Sequence, residues 1–244
     1  EEVDVPGQES VDEFLPRFEP RQILDPAQPV TIGAMVGPEA FTEVRYLAHA
    51  KQMEALDLIP RVTAEFETAF GRPSGGLVRR YRADDAETIV VALGSVLGTI
   101  EDVIDEMREA GIAIGAVALK SFRPFPLDEV RAALGGAKRV VVLEKHLAVG
   151  VGGPVSANVR EALSGIQLEG HTVIAGLGGR SITRESLRRL FDAAFAGELP
   201  RLSFLDLKQD IVERELARAH GGGASGPHEQ NILKDIGVVA ARPH

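Results

Sequence analysis

Hydrophobic and polar positions alternate in a regular rhythm over residues 88–196. Short apolar runs rich in β-branched residues, such as TIVVALG from Thr88 and RVVVLEK from Arg139, predict buried strands. Between such runs, apolar residues recur at helical spacing, as in TIEDVIDEMREAG, where Thr99 is the expected N-cap and Gly111 the expected C-cap. Strands that alternate with helices indicate right-handed βαβ units. The pattern therefore predicts an α/β fold with an open, mostly parallel sheet and helices on both faces.

The first 54 residues form an arm in which this rhythm is absent. Five prolines there disfavour long helices and predict extended segments, namely Pro16, Pro20, Pro26, Pro29 and Pro38. The arm also carries eight large apolar residues, which are Phe14, Leu15, Phe18, Ile23, Leu24, Val30, Ile32 and Met35. So many apolar side chains predict that the arm packs on another protein surface, such as that of a second chain. A helical pattern follows from Ala40 to Phe70.

These patterns divide the chain into three parts. Residues 1–54 are the proline-rich arm, residues 55–200 the α/β domain, and residues 201–244 a C-terminal helix and tail. The tail contains GGGASGP, which is typical of a flexible linker.

Composition narrows the choice of partners. The chain has 244 residues, of which 27 are basic and 36 acidic, and the net charge of −9 argues against a nucleic-acid partner. No apolar run reaches the roughly 20 residues that span a bilayer, so we expect no membrane partner. The acidic start EEVDVPGQES is unlike a signal peptide, and its lack of Met suggests a piece of a longer protein or a trimmed product. The absence of cysteine fits a cytoplasmic protein that forms no disulfide, thiolate metal site or iron–sulfur cluster by itself.

Three glycine-rich turns follow predicted strands and should gather at one edge of the sheet. They are GSVLGT with Gly94 and Ser95, AVGVGGP with Gly152 and Gly153, and AGLGGR with Gly178, Gly179 and Arg180. Open α/β sheets bind ligands at this edge, and a helix N-terminus there favours anions. The spacing of GSVLGT matches neither G-x-G-x-x-G nor a Walker A sequence, so a tight turn without a ligand is the competing interpretation. The three turns together fit either a ligand or a partner subunit, and we favour the partner.

Further candidate site residues lie at strand ends and in the arm. Glu144 and His146, in EKH, are placed to act as an acid–base pair, and a solvated or interface-facing strand end is the competing interpretation. Arg123, in SFRPFP, and Arg45, in FTEVRY, are candidate interface residues. The six histidines show no H-E-x-x-H spacing, so we predict no metal site, and neither a G-x-S-x-G motif nor a thiol nucleophile is present.

Several stretches in order resemble one family. The arm segment FLPRFEPRQILDPAQPVTIGAMVGPEAFTEVRY resembles the segment that joins the first two domains of the pyruvate (2-oxoacid):ferredoxin oxidoreductase alpha subunit. The stretch TIVVALGSVLGTIEDVIDEMREAGIAIGAVALKSFRPFP resembles the core of its second, transketolase C-terminal-like domain, and RVVVLEKHLAVGVGGPV and VIAGLGGRSIT follow in the family's order. The resemblance covers Glu1 to Ala196. We expect the domain that precedes the arm in the family to be absent from this chain, and the tail resembles nothing in the family.

The resemblance implies a place in a multi-subunit enzyme. The family converts a 2-oxoacid, here pyruvate by first expectation, and coenzyme A into acyl-CoA, CO2 and reduced ferredoxin. It uses thiamine diphosphate with Mg and iron–sulfur clusters, which would be held by other domains or subunits. We therefore expect no catalytic residue and no cofactor bound by this chain alone, which should be inactive in isolation. The expected partners are the thiamine-binding and iron–sulfur subunits, with ferredoxin reached through the complex.

The resemblance also suggests a role for Arg123. Pro124 and Pro126 would stiffen the strand exit while Phe122 and Phe125 pack beneath it. Arg123 would then face a carboxylate or a backbone carbonyl of a neighbouring domain. The alternative function for the whole chain is a small-molecule-binding or regulatory module with a transketolase C-terminal-like fold.

Overall fold

The computed structural model of the chain describes residues 5–20, 22–33, 35–220 and 226–238. It forms two compact units, Glu1–Ser203 and Phe204–His244. Most of the GGGASGP linker and the last six residues of the tail lie outside the described residues.

A six-stranded sheet forms the centre of the first unit. In chain order the strands are β1 (Val78–Tyr81), β2 (Thr88–Ala92), β3 (Ile114–Leu119), β4 (Arg139–Glu144), β5 (Glu169–Ile174) and β6 (Leu202–Phe204). They lie in the order β1-β3-β2-β4-β5-β6. Strand β2 runs parallel to β3 and β4, and β4 runs parallel to β5, whereas β1 pairs antiparallel with β3. The predicted open, mostly parallel sheet is confirmed.

Four helices cover the two faces of this sheet. They are α3 (Val96–Glu109), α4 (Leu127–Leu134), α5 (Pro154–Ala162) and α6 (Arg184–Phe195). Helices α4 and α5 contact each other, as do α3 and α6. Ile89 and Val91 of β2 share a buried cluster with Val130 of α4 and Val159 of α5. Val90 is equally buried and projects from the opposite face, because side chains alternate along a strand.

The start of α3 differs from the prediction. Its N-cap is Ser95, and Thr99 lies inside the helix. The chain turns at Gly94, whose φ of 80° is in the left-handed region, and enters the helix at once. Val96 and Leu97 are buried and extend the apolar stripe of the helix toward its amino end, so the helix begins earlier than Thr99 suggested. At the other end Ala110 is the C-cap and Gly111 follows it with a φ of 79°.

Two helices lie before the sheet in the chain. They are α1 (Gln8–Phe14) and α2 (Phe41–Phe70), and no other helix occurs among the described residues before β1. The Phe14 ring contacts the rings of Phe66 and Phe70 at centroid distances of 5.9 and 5.2 Å. None of the 30 residues of α2 is fully buried. This helix runs through residue 54, where the sequence suggested the arm would end, and the three-part division of the chain stays a proposal.

The second unit contains α7 (Gln209–His220) and α8 (His228–Asp235). The Glu215 carboxylate on α7 lies 2.9 Å from Nδ1 of His228 and accepts a hydrogen bond from Nδ2 of Asn231 at 3.2 Å. It also pairs with Arg218 of its own helix. These contacts fasten the two helices together through one nearly buried carboxylate.

Candidate functional site

Four loops meet at the carboxyl edge of the sheet, where β2 to β5 end. We call residues 93–96, 120–126, 145–153 and 175–183 the edge loops. Of the candidate residues, Glu144 ends β4 and all others except Arg45 lie in these loops, namely Gly94, Ser95, Arg123, His146, Gly152, Gly153, Gly178, Gly179 and Arg180. Arg45 lies in α2 and is exposed. The parallel topology thus brings together nearly every residue singled out from the sequence.

Glu144 is buried and caps the amino end of α5. One carboxylate oxygen, Oε1, accepts hydrogen bonds from the backbone nitrogen of Ser156 at 3.0 Å and from its hydroxyl at 2.6 Å. The other oxygen, Oε2, accepts one from the nitrogen of Val155 at 2.9 Å. The helix N-terminus favours a negative charge there. The expectation of a solvated Glu144 is therefore wrong, because the carboxylate satisfies backbone donors of the helix that would otherwise be buried without partners. A place for Glu144 near an interface stays a prediction.

Because of these contacts, Glu144 is not available as the partner of His146 in acid–base catalysis. Both of its oxygens are engaged by α5, whereas the His146 side chain is exposed. A general base must reach its proton within hydrogen-bond distance, and Glu144 faces the helix instead. No residue of the edge loops offers a catalytic carboxylate, since the four loops contain neither Asp nor Glu.

The loop after β4 presents two valines to solvent. Backbone hydrogen bonds between Ala148 and Gly152, at 2.8 and 2.9 Å, close it into a tight loop. Gly152 is buried and adopts a φ of 114°, which favours glycine. Val149 and Val151 are 89% and 75% exposed. A rigid loop that exposes two β-branched side chains is typical of a contact surface.

A crevice of about 290 Å³ lies between the ends of β2 and β4. Gly94, Ser95, Lys145 and His146 contribute to its lining. The chain leaves β2 and β4 toward helices on opposite faces, so this is the switch point of the sheet. Sequence reasoning anticipated that GSVLGT and EKH would lie at the strand ends, and the structure places them next to each other.

Arg123 is exposed and makes its contacts within its own domain. Its Nη1 donates to the carbonyl of Phe122 at 2.6 Å and to Oδ1 of Asn158 at 3.3 Å. The guanidinium carbon lies 4.1 Å from the centroid of the Phe122 ring. Phe122 and Phe125 pack against the buried cluster beneath, as predicted. A partner for Arg123 in a neighbouring domain stays a prediction.

The loop after β5 turns on three glycines. Gly176, Gly178 and Gly179 have φ values of 68°, 65° and 81°, which place the backbone of this turn in the left-handed region. A β-carbon on Gly176 would lie 3.2 Å from Cε of Lys145, so the lysine stem lies against the turn. Leu177 is 43% exposed at the tip.

The edge loops are basic on an acidic chain. They carry Lys120, Arg123, Lys145, His146 and Arg180 with no acidic residue, whereas the whole chain has a net charge of −9. They also expose Leu93, Val149, Val151 and Leu177. Sequence reasoning missed these apolar residues, although two valines between glycines in AVGVGG are a signal that could have found them. This combination of charge and apolar surface fits an acidic, partly apolar partner surface.

The donor set does not fit an iron–sulfur cluster or a resident metal. The chain has no cysteine, and the described residues contain no group of three or more His, Asp or Glu side chains that could hold a metal ion. The thiolates of any such cluster would come from residues outside these 244. Among the described residues, no helix combines the length and apolar character needed to cross a bilayer.

Several known proteins are similar to this chain. Residues 86–187 match the family described as pyruvate:ferredoxin oxidoreductase core domain II. The pyruvate synthase subunit PorA of Methanothermobacter thermautotrophicus is 42% identical over 183 residues, which cover 75% of this chain and 47% of that protein. PorA of Methanosarcina barkeri is 38% identical over 214 residues, covering 84% and 53%. The ketoisovalerate oxidoreductase subunit VorA of Pyrococcus horikoshii is 31% identical over 193 residues, covering 78% and 49%.

The chain spans about half the length of the curated relatives it matches. The matched region includes β2 to β5 and all of the edge loops. Over residues 86–187, the α/β unit therefore resembles core domain II of the pyruvate:ferredoxin oxidoreductase family.

Proposed function

We propose that the chain is a structural and assembly part of a thiamine diphosphate-dependent 2-oxoacid:ferredoxin oxidoreductase. In this enzyme a 2-oxoacid and coenzyme A give acyl-CoA, CO2 and reduced ferredoxin. The thiamine diphosphate, its Mg and the iron–sulfur clusters are held by other domains or subunits. These thiamine-binding and iron–sulfur polypeptides are the direct partners, and ferredoxin is reached through the complex.

The observation that carries the proposal is the uncovered edge of the sheet. Val149 and Val151 stand almost fully in solvent at the tip of a closed loop, beside four Lys or Arg residues in the edge loops. Specific protein interfaces have an apolar centre and a polar rim. The exposed valines would supply such a centre, and the basic residues of the edge loops would supply such a rim. Both oxygens of the acidic capping residue Glu144 are bonded to the amino end of α5, so Glu144 offers no free carboxylate at this edge.

The arm supports the same proposal. Phe18, Leu24 and Met35 are 84%, 77% and 99% exposed, and they lie in the proline-rich segment between α1 and α2. Burial of one large apolar side chain contributes about 1.5–3 kcal/mol, so a few such contacts offset the cost of ordering an extended segment. We propose that the arm packs on the polypeptide that corresponds to the unmatched half of the relatives.

We propose pyruvate as the 2-oxoacid. Two of the relatives at the highest identities are named pyruvate synthase subunits, and the ketoisovalerate relative has a lower identity. The proposal includes a cytoplasmic location, which fits a chain without cysteine.

The test is purification of the tagged chain from its native source. We expect the purified material to show iron–sulfur absorbance and to reduce an artificial acceptor with pyruvate and coenzyme A. The chain produced alone should do neither. The double variant Val149→Asp, Val151→Asp should melt like the parent chain and lose the associated activity. Native material free of iron–sulfur protein, or full activity of the double variant, would contradict the proposal.

A further inference from the structure

A second pocket lies on the face of the sheet that α5 covers, between α5, β4 and β5. Its volume is about 270 Å³. The aliphatic part of its lining consists of Val140, Val142, Val159, Leu163, Ile166 and Leu168. The polar part consists of Ser156, Arg160, His171, Thr172 and Arg201. Neither an acidic residue nor any residue of the edge loops lines it.

The two arginines of the pocket have no carboxylate partner in the described part of the chain. Nη1 of Arg160 makes only a long contact of 3.4 Å with Oγ1 of Thr172. The Arg201 side chain makes no hydrogen bond or ion pair among the described residues, and its carbonyl accepts from the nitrogen of Thr172 at 2.8 Å. The neighbouring Arg139, by contrast, pairs with Glu169 at 2.8 Å. Two uncompensated guanidinium groups at one small pocket favour an anion.

His171 adds a buried polar group to the same lining. It is 5% exposed, and its Nδ1 lies 3.0 Å from the carbonyl oxygen of Pro200, which can only accept. Its Nε2 lies 3.1 Å from Oε1 of Glu169 and so already faces a carboxylate. The two arginines, and not His171, are therefore the groups of this pocket that can recognise an anion.

We propose that this pocket binds a small carboxylic acid with a short branched hydrocarbon body. The carboxylate lies between Arg160 and Arg201, whose planar guanidinium groups match its geometry. The hydrocarbon lies against the aliphatic part of the lining, where burial of each methylene is favourable. The volume of about 270 Å³ falls at the small end of ligand pockets and suits a metabolite of this size. This site is separate from the proposed assembly role and does not depend on it.

Titration of the 244-residue chain with 3-methylbutanoate, followed by NMR, tests the site. We expect saturable shifts at residues that line the pocket. The alcohol of the same carbon skeleton, 3-methylbutan-1-ol, should bind about tenfold more weakly or worse, because it lacks the charge that the arginines recognise. Inorganic phosphate should also bind more weakly, because it lacks the apolar body.

Variants assign the binding to the two arginines. Arg160→Gln and Arg201→Gln should each weaken binding of the acid at least about tenfold. Arg188→Gln serves as the matched control, because Arg188 is on α6, on the other face of the sheet, and forms a surface ion pair with Asp192. Both pocket arginines are exposed, so their variants should fold, and a melting curve checks this. Shifts away from the pocket, equal binding of alcohol and acid, or equal binding by all three variants would overturn the proposal.

Discussion

Glu144 and Gly153 compete for one space at the amino end of α5. A β-carbon built on Gly153 would lie 1.7 Å from Oε1 of Glu144, far inside contact distance. Because the carboxylate is held by the backbone nitrogens of Val155 and Ser156, it cannot retreat without giving up its role as a helix cap. The glycine is thus required by the capping carboxylate rather than by its own backbone conformation, since its φ of −88° is open to any residue.

Gly153→Ala should therefore lower the free energy of unfolding by about 3 kcal/mol, because displacing the carboxylate breaks charge-assisted hydrogen bonds in a buried site. In a Glu144→Ala background, where the space is open, the same change should cost much less. Urea unfolding of the four proteins of this cycle measures the coupling. Gly98→Ala is the control, because Gly98 lies in α3 and a β-carbon added there would have nothing within 4 Å. This control substitution should leave the free energy of unfolding unchanged or raise it by up to about 1 kcal/mol. Additive effects in the cycle would contradict the competition.

Arg108→Gln should destabilise the protein by about 2 kcal/mol. The Arg108 guanidinium donates to the carbonyls of Ile114 and Arg82, at 2.5 and 2.6 Å, and pairs with both oxygens of Asp85. It thereby ties the turn before β2 to the start of β3. The same pairing holds the pKa of Asp85 below its usual range, so the pKa of Asp85 should rise in the variant. Thermal melting and NMR titration test the two effects, and Arg188→Gln, which removes only a surface pair, should change neither by a comparable amount.

Arg123→Ala should leave the melting of the isolated chain nearly unchanged and impair assembly of the complete enzyme. The side chain is exposed, and its own-domain contacts are worth about 1 kcal/mol or less. Arg131→Ala should behave in the opposite way, since Nη1 of Arg131 donates to the carbonyls of Ala162 and Ser164 at 2.9 and 2.8 Å and so supports the end of α5. Melting of each isolated variant and size-exclusion of the reconstituted complex separate the two roles. A large loss of melting temperature in Arg123→Ala would make it a residue of the fold.

The contact between α7 and α8 should weaken in acid. A hydrogen bond with His228, followed by those from Asn231 and Arg218, lowers the pKa of Glu215 despite its burial. Because the pKa of Glu215 is lower in the folded state, the ionised carboxylate stabilises the contact between α7 and α8 at pH values above its unfolded pKa of about 4.3. This stabilisation is lost as the pH falls through the folded pKa. We expect the side-chain amide signal of Asn231 to move toward its free position only at a pH below the unfolded value of about 4.3. Glu215→Gln should abolish that transition, while Glu213→Gln on the same helix should keep it. An unchanged transition in Glu215→Gln would show that another group controls it.

The strands that the sequence predicted are those in which nearly every residue is buried. All five residues of β2 and the five residues Val140 to Glu144 of β4 are buried, so their apolar β-branched runs were unambiguous. Strand β1, with sequence VRRY, was missed because its two central arginines resemble a loop, and it becomes a strand only by pairing with β3 about forty residues later.

The sequence predicted where the candidate residues lie in the fold, but it did not predict the role of Glu144. Parallel topology alone predicts that strand ends meet, which located the glycine-rich turns and Arg123 at one edge. The role of Glu144 depends on the start of α5 lying directly above the end of β4, eleven residues on in the chain. That juxtaposition arises from the tight loop between them, and no local pattern in EKH records it.

The basic edge loops have a consequence for the kinetics of assembly. Four positive side chains lie in the edge loops of a chain whose net charge is −9, and the amino end of α3 adds to their field. An acidic partner would be turned toward this edge before contact and would associate faster at low ionic strength. At 0.1 M salt the field fades within about 10 Å, so the association rate should fall steeply with salt. In the proposed complex the dissociation rate would depend instead on the contacts made by Val149 and Val151, so salt should leave this rate nearly unchanged.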